Sequence, residues 1–311
     1  MVKLRRHGAR SRRAPDERRL CDTVLVVGSG RSGTTWLVEL LNAAGTYHVL
    51  FEPFSPREGH NPQWHGTPRY LRRGASYAHR DEVEQILLGG ASSEWVDRIA
   101  SSDPSSSRVL VKEIRLNQML GWVQENFPEV ALVYLVRDPW STAWSATQHD
   151  WGDRGYSNYL SRRRLVRDHL APDQLELLGS ADSLFQKNVV KWAVDTRVAL
   201  RSLDREGRVT SVFYEHLAQR PEQELARLAD FCGHPLEVPD GRSLRRRSAT
   251  TSHGSVTDPR RDDFGRAWEG ELTAADQAYA DRVLTALGLD PLYAERNVPA
   301  LAQPLELRPA D

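Results

Sequence analysis

Apolar residues fall along this chain in two rhythms. Short unbroken runs of β-branched and aliphatic residues alternate with longer stretches in which apolar positions recur at helical spacing. Thr23 to Val27 (TVLVV), Tyr47 to Phe51, Arg108 to Ile114, Val130 to Val136 and Arg208 to Tyr214 are the short runs. Runs that are apolar on both faces predict buried parallel strands. Between them the spacing predicts helices from Gly33 to Gly45, over Asp81 to Leu88 and Asn117 to Phe127, and from Pro139 onward. Further helices are predicted over Leu184 to Leu203, Pro221 to Phe231 and Thr273 to Leu287. Gly45 suits a helix C-cap and Pro139 a first helical turn. Strands alternating with helices give an α/β fold with a P-loop-like parallel sheet flanked by helices on both faces.

Two stretches break the rhythm. Ser55 to Ser107 is long, polar and aromatic, with Trp64, Tyr70, Tyr77 and Trp95, and ends in the loop SSDPSSS. Arg242 to Arg266 is basic and irregular. Residues 1–21, which contain KLRRHGARSRR, are expected as a solvated, disordered basic tail. Residues 22–300 read as a single domain and 301–311 as a C-terminal tail.

Composition narrows the choice of function. Formal net charge is zero, so no overall field favours nucleic acid. No stretch approaches the roughly 18 apolar residues of a membrane span, and no apolar signal-peptide core follows the basic start. Cys21 and Cys232 stand far apart, at no metal-ligand spacing, which fits a reducing, cytoplasmic setting. The arginine-rich, lysine-poor composition suggests a bacterial source.

The chemistry begins at VLVVGSGRSGTTWL, Val24 to Leu37. Strand, glycine-rich turn and helix follow in order, so backbone N–H groups gather at a helix N-terminus, where an anion is favoured. A strand-to-helix turn with no ligand is the bland alternative. After the second glycine, where a nucleotide kinase carries its lysine, stands Thr34. Arg31 and Ser32 precede Gly33, and Thr34 and Thr35 follow it; a guanidinium beside hydroxyls suits a terminal phosphate or sulfate. A second marker is YLVRDPWSTAWS, Tyr134 to Ser145. Arg137 ends a buried strand and Ser145 lies two helical turns on, so the pair can clamp a second oxyanion; pairing of Arg137 with Asp138 is the alternative.

These two stretches resemble the 5′-phosphosulfate loop and the 3′-phosphate motif of sulfotransferases that use 3′-phosphoadenosine 5′-phosphosulfate (PAPS). FYEHL, Phe213 to Leu217, resembles the Tyr-Glu-Asp-Leu run that follows a later strand in that family. The resemblance implies sulfuryl transfer without a metal, with PAP as product. It puts Arg31, Ser32, Gly33, Thr34 and Thr35 on the 5′-phosphosulfate, and Arg137 and Ser145 on the 3′-phosphate. Trp36 becomes a candidate to stack on adenine, with a core tryptophan as the alternative, and Tyr214 a candidate for the adenine or 3′-phosphate. The Arg-Lys-Gly run of the cytosolic branch is missing; Arg260, Arg261 or Arg266 can take its place.

Transfer also needs a base. The histidine of the cytosolic branch has no counterpart. Glu52, in LFEPF, resembles the glutamate of the carbohydrate, Golgi-type branch, and a shielded carboxylate there would have a raised pKa. Lys112 is a candidate for stabilising the leaving phosphate oxygen, or a sheet-edge salt bridge. Arg115 is a further binding candidate and His149 an alternative base. The acceptor is expected to be a carbohydrate, nucleoside or other small molecule, held by Ser55 to Ser107 and by His149 to Arg164. A nucleotide-binding protein without transfer activity, or a kinase-like phosphotransferase, is the competing reading.

Overall fold

Five parallel strands carry the fold: β1 (Thr23–Gly28), β2 (His48–Phe51), β3 (Val109–Glu113), β4 (Ala131–Val136) and β5 (Val209–Phe213), ordered β2, β3, β1, β4, β5 across the sheet. The computed structural model describes residues 12–55, 70–148, 156–236, 268–296 and 298–307. Registers keep the carboxyl ends level: Val27 lies beside Glu113, Gly28 beside Leu135, Phe51 beside Lys112, and Val136 beside Phe213. From β1 the chain crosses to β2 on one side, and from β3 it crosses to β4 on the other. That reversal opens a crevice at the carboxyl end of β1, the usual ligand position in such sheets.

The described helices are α1 (Thr34–Leu41), α2 (Arg80–Leu87), α3 (Leu120–Asn126), α4 (Pro139–Thr147), α5 (Tyr156–Leu160) and α6 (Arg163–His169). Then follow α7 (Pro172–Gly179), α8 (Leu184–Ser202), α9 (Tyr214–Gln219), α10 (Pro221–Cys232) and α11 (Ala274–Ala286). Successive strand residues point to opposite faces. Val24 and Val26 of β1 therefore join a core layer with Leu37 and Leu41 of α1 and Leu225 and Leu228 of α10. Leu25 and Val27 join the opposite layer, with Ile86 of α2, Trp122 of α3, Val189 of α8 and Val283 of α11. Both faces of the sheet are covered, as the unbroken apolar runs require.

Two expectations change. Residues 1–11 of the basic start lie outside the described residues, but the rest of it is not a tail. Residues 12–22 pack on the domain through two short helical turns, Pro15–Glu17 and Leu20–Asp22. Arg18 is buried and donates to the carbonyls of Pro104 (2.8 Å), Ser106 (3.1 Å), Leu88 (3.2 Å) and Gly89 (3.4 Å). The C-terminal segment also packs in its described part: Leu305 is buried, and its N–H donates to Ser211 Oγ of β5 at 3.1 Å. Before it, β6 (Tyr293–Glu295) and β7 (Val298–Pro299) form an antiparallel pair absent from the sequence reading. Of His149 to Arg164, expected to help hold the acceptor, the described part carries α5 and the start of α6.

Candidate active site

The turn between β1 and α1 needs a left-handed backbone. Gly33 has φ 97°, and a Cβ there would lie 2.6 Å from the Tyr214 ring. Arg31 takes φ 73° although it carries a side chain. Such a conformation costs about 1–3 kcal/mol and persists only where surroundings enforce it. Two contacts do so: Arg137 Nη1 donates to the Arg31 carbonyl at 3.1 Å, and Arg31 Nε donates to Ser145 Oγ at 3.1 Å. The Arg137 guanidinium also lies over the Tyr214 ring, 4.3 Å from its centre. Tyr214 in turn packs against half-buried Trp36, ring centres 5.2 Å apart. Arg31, Ser32, Gly33, Trp36, Arg137, Ser145 and Tyr214 thus form one cluster, with Thr34 and Thr35 buried in the first turn of α1.

This cluster is electrostatically unbalanced. Burial pulls the Arg31 pKa down to about 10, and nearby Arg137 pulls the same way. Among the described residues neither guanidinium forms a salt bridge. Ser29 Oγ, Ser32 Oγ and Arg137 Nε are buried without a hydrogen-bond partner. One buried and one half-buried cation, idle donors and the N-terminus of α1 together suit an anionic ligand with more than one charged group.

The second half of the site lies one strand away. Glu52 follows β2 and has φ 45°. Its N–H continues the ladder to the Lys112 carbonyl at 2.8 Å, and its own carbonyl accepts from Ser55 N–H at 3.0 Å. Its carboxylate is ion-paired with Lys112 Nζ and, at 2.7 Å, with Arg115 Nη1. Burial by itself would raise the Glu52 pKa, but these two cations override it and hold the group below its ordinary value. The expected raised pKa is therefore wrong in direction. The cause is register: Lys112, opposite Phe51, places its ammonium on the next residue. Full burial pulls Lys112 down while Glu52 pulls it up. With two cations on one carboxylate, the carboxylate is the member held most firmly in its charged form. Of the alternatives left open for Lys112, the salt bridge exists, with Glu52 as partner.

Glu113, beside them, is buried and pushed up by that burial; it accepts from the N–H groups of Phe54 (3.0 Å), Ile114 (2.7 Å) and Arg115 (3.0 Å). It thereby fixes the turn that carries Glu52. Arg260, Arg261, Arg266 and His149 lie outside the described residues. The described residues contain no group of three or more His, Cys, Asp or Glu side chains able to hold a metal ion, and no helix long and apolar enough to cross a membrane.

Sequence reading missed two contributors. Trp192 of α8 donates its ring N–H to the Arg137 carbonyl at 3.1 Å. Glu215, inside the FYEHL run but given no role there, accepts from Asp138 N–H at 2.8 Å. Only Glu215 left a signal, as an acid next to Tyr214 at a strand end.

A solved sulfotransferase domain from the curacin biosynthetic pathway is 19% identical and covers 85% of this chain and 96% of its own, with TM-score 0.45. A sulfotransferase from Alicyclobacillus acidocaldarius is 17% identical over 86% of this chain and 95% of its own, with TM-score 0.41. A mouse sulfotransferase solved with PAP is 15% identical over 86% of this chain and 85% of its own, with TM-score 0.41. Among curated proteins, an uncharacterized protein of Aquifex aeolicus (strain VF5) is 21% identical over 225 residues; the match takes in 69% of this chain but spans only 26% of that relative's length. The sequence pattern of the sulfotransferase family matches residues 23–238, which contain both halves of the site, and the chain belongs to that family.

Proposed function

We propose that the chain moves a sulfuryl group from PAPS to a hydroxyl of a carbohydrate, nucleoside or other small-molecule acceptor, without a metal, and releases PAP (3′,5′-ADP). One observation carries the reading. Two anion clamps, predicted from separate motifs, share a single pair of cations, with Arg31 bonded to Ser145 and Arg137 to the Arg31 carbonyl. A nucleotide with phosphates at both its 3′ and 5′ positions has the charge layout to match. In this reading the N–H groups and hydroxyls of Arg31 to Thr35 hold the 5′ end. Arg137 and Ser145 hold the 3′-phosphate, and Trp36 and Tyr214 flank the adenine. PAPS, when bound, supplies the sulfuryl group and a stable phosphate leaving group.

Glu52 is the base. Ion-paired, it stays ionised at neutral pH and can accept a proton, but weakly. A weak base suffices when it acts late: the acceptor hydroxyl becomes strongly acidic once its oxygen has begun to bond to sulfur. As Glu52 gains the proton, Lys112 and Arg115 lose their anion and can stabilise charge on the departing phosphate oxygen. The branch with a glutamate base, rather than a histidine, is favoured for that reason. The location we infer is cytoplasmic, supported by two unpaired cysteines, Cys21 and Cys232.

The test is direct. 3′,5′-ADP at a hundred times its dissociation constant should stabilise the protein by about 2.7 kcal/mol, with chelator present. Labelled PAPS with an acceptor panel should then give a sulfated product. ATP with Mg²⁺ stabilising the protein where 3′,5′-ADP does not would overturn the proposal and restore the kinase-like reading.

A further inference from the structure

The peptide unit between Arg137 and Asp138 is held from both sides. Its carbonyl accepts from Trp192 Nε1 at 3.1 Å, and its N–H donates to Glu215 Oε1 at 2.8 Å. Level strand ends make this possible: Val136 of β4 lies beside Phe213 of β5, so Asp138 meets the residues just after Phe213. The other oxygen of Glu215, Oε2, accepts from Tyr293 OH at 3.1 Å, from β6. Asp138 is the N-cap of α4, where Oδ1 accepts from Ser141 N–H at 2.6 Å, and α4 carries Ser145. Glu215 is 1% exposed. A carboxylate this deep, with both oxygens committed to groups behind the anion clamp, is costly to keep for packing alone.

We propose that Glu215 is a positioning residue for the donor's 3′-phosphate: it sets the peptide from which Arg137 departs, fixes the cap of the helix that carries Ser145, and ties both to the C-terminal strand pair through Tyr293. This rests on the PAPS reading above. It has a charge consequence as well. Arg137 and Asp138 face Glu215 from the β4–α4 junction and Tyr293 from β6, while Tyr214 and His216 flank it on α9. Burial first, and the Asp138 charge second, push the Glu215 pKa up to about 7. A 3′-phosphate arriving at Arg137 adds negative charge nearby and disfavours ionised Glu215 further. Donor binding therefore takes up a proton, and ionised Glu215 weakens binding as pH rises from 6 to 8.

Glu215→Gln keeps an oxygen to accept from Asp138 and removes the charge. Glu215→Ala removes both, and Tyr293→Phe removes one bond only. Affinities for 3′,5′-ADP and for 5′-AMP, which lacks the 3′-phosphate, are measured by calorimetry at pH 6 and 8. Glu215→Ala should weaken 3′,5′-ADP binding about ten- to a hundredfold, the size of loss seen when the supporting partner of a metal ligand is removed, but should not weaken 5′-AMP binding. Tyr293→Phe should give a smaller loss with the same selectivity. Glu215→Gln should bind 3′,5′-ADP at least as tightly as wild type, and the wild-type affinity relative to it should fall between pH 6 and 8. Equal losses for both ligands in Glu215→Ala and Tyr293→Phe, or a wild-type pH dependence identical to that of Glu215→Gln, would overturn the role. A wild type that binds 5′-AMP as tightly as 3′,5′-ADP strikes the PAPS reading itself, and the positioning role falls with it.

Discussion

Arg31 Nε donates to Ser145 Oγ across 3.1 Å, although the two residues stand 114 positions apart and come from different motifs. The two clamps are therefore one network, and damage to either should be felt by both. Arg31→Gly removes the guanidinium while suiting the left-handed backbone, and Ser145→Ala removes the hydroxyl. Their effects on 3′,5′-ADP affinity should differ from additivity by about 0.5–3 kcal/mol. Calorimetry on the two single variants, the double variant and wild type measures this. Strict additivity would mean that the bond carries no coupling.

Arg137→Ala should weaken donor binding far more than it slows chemistry. Its guanidinium is buried, bonds the loop backbone and lies over Tyr214, at the end of the nucleotide far from sulfur in the proposed pose. Loss of a charge-assisted contact should cost about 2–4 kcal/mol of binding. Single-turnover rates at saturating PAPS should stay within a few-fold of wild type. A large rate loss with intact affinity would move Arg137 to the reacting centre.

Glu52→Gln should lower turnover by about 10²–10⁴-fold. It should also destabilise the fold, because buried Lys112 loses its counter-ion; breaking such a pair costs about 3–5 kcal/mol. Turnover must therefore be compared at equal folded fraction. The pH profile carries the sharper check. The Glu52 pKa is depressed, so its ionised pair contributes stability above the ordinary carboxylate range, and that contribution disappears as pH falls through the depressed value. Turnover should accordingly show no acid limb assignable to Glu52 between pH 5 and 8. A limb near pH 6 that Glu52→Gln abolishes would contradict the ion-paired geometry.

Gly33→Ala should be among the most damaging loop changes. The new methyl would meet Tyr214 ring carbons at 2.6 and 2.7 Å, on a residue whose φ is 97°. Strain of about 1–3 kcal/mol from the backbone alone, plus displacement of Tyr214 from beneath Arg137, should lower the melting temperature and donor affinity together. Thermal unfolding with and without 3′,5′-ADP reads both. An unchanged melting temperature would show that the loop relaxes freely.

Much of this site was legible in the sequence because its parts sit at strand ends. A buried apolar run that stops at glycine or at a charged residue marks the carboxyl edge of the sheet, and so Gly28, Arg137 and Glu52 could be placed from the sequence. What the chain did not disclose depends on register between distant strands. Lys112 meets Glu52 only because β3 pairs with β2 one residue earlier, and that contact reverses the expected pKa direction. Glu215 meets Asp138 only because β5 pairs level with β4. The N-terminal arm was misread for another reason. Charge patterning weighs arginine against water and acids, whereas Arg18 spends its donors on four backbone carbonyls, which no side-chain pattern reveals.

That arginine also separates two boundaries that are easily confused. The family pattern begins at residue 23, yet the packed structure begins upstream, where Arg18 closes the gap between the end of α2 and the loop before β3. Gly89 leaves room for it: a Cβ there would lie 2.4 Å from the guanidinium, on a residue with φ 81°. A fragment cut at the family boundary would leave four carbonyls without the Arg18 donors they have here, beside the strand that carries Lys112. In this protein the upstream arm is a cross-brace, and its removal should loosen that side of the sheet from behind.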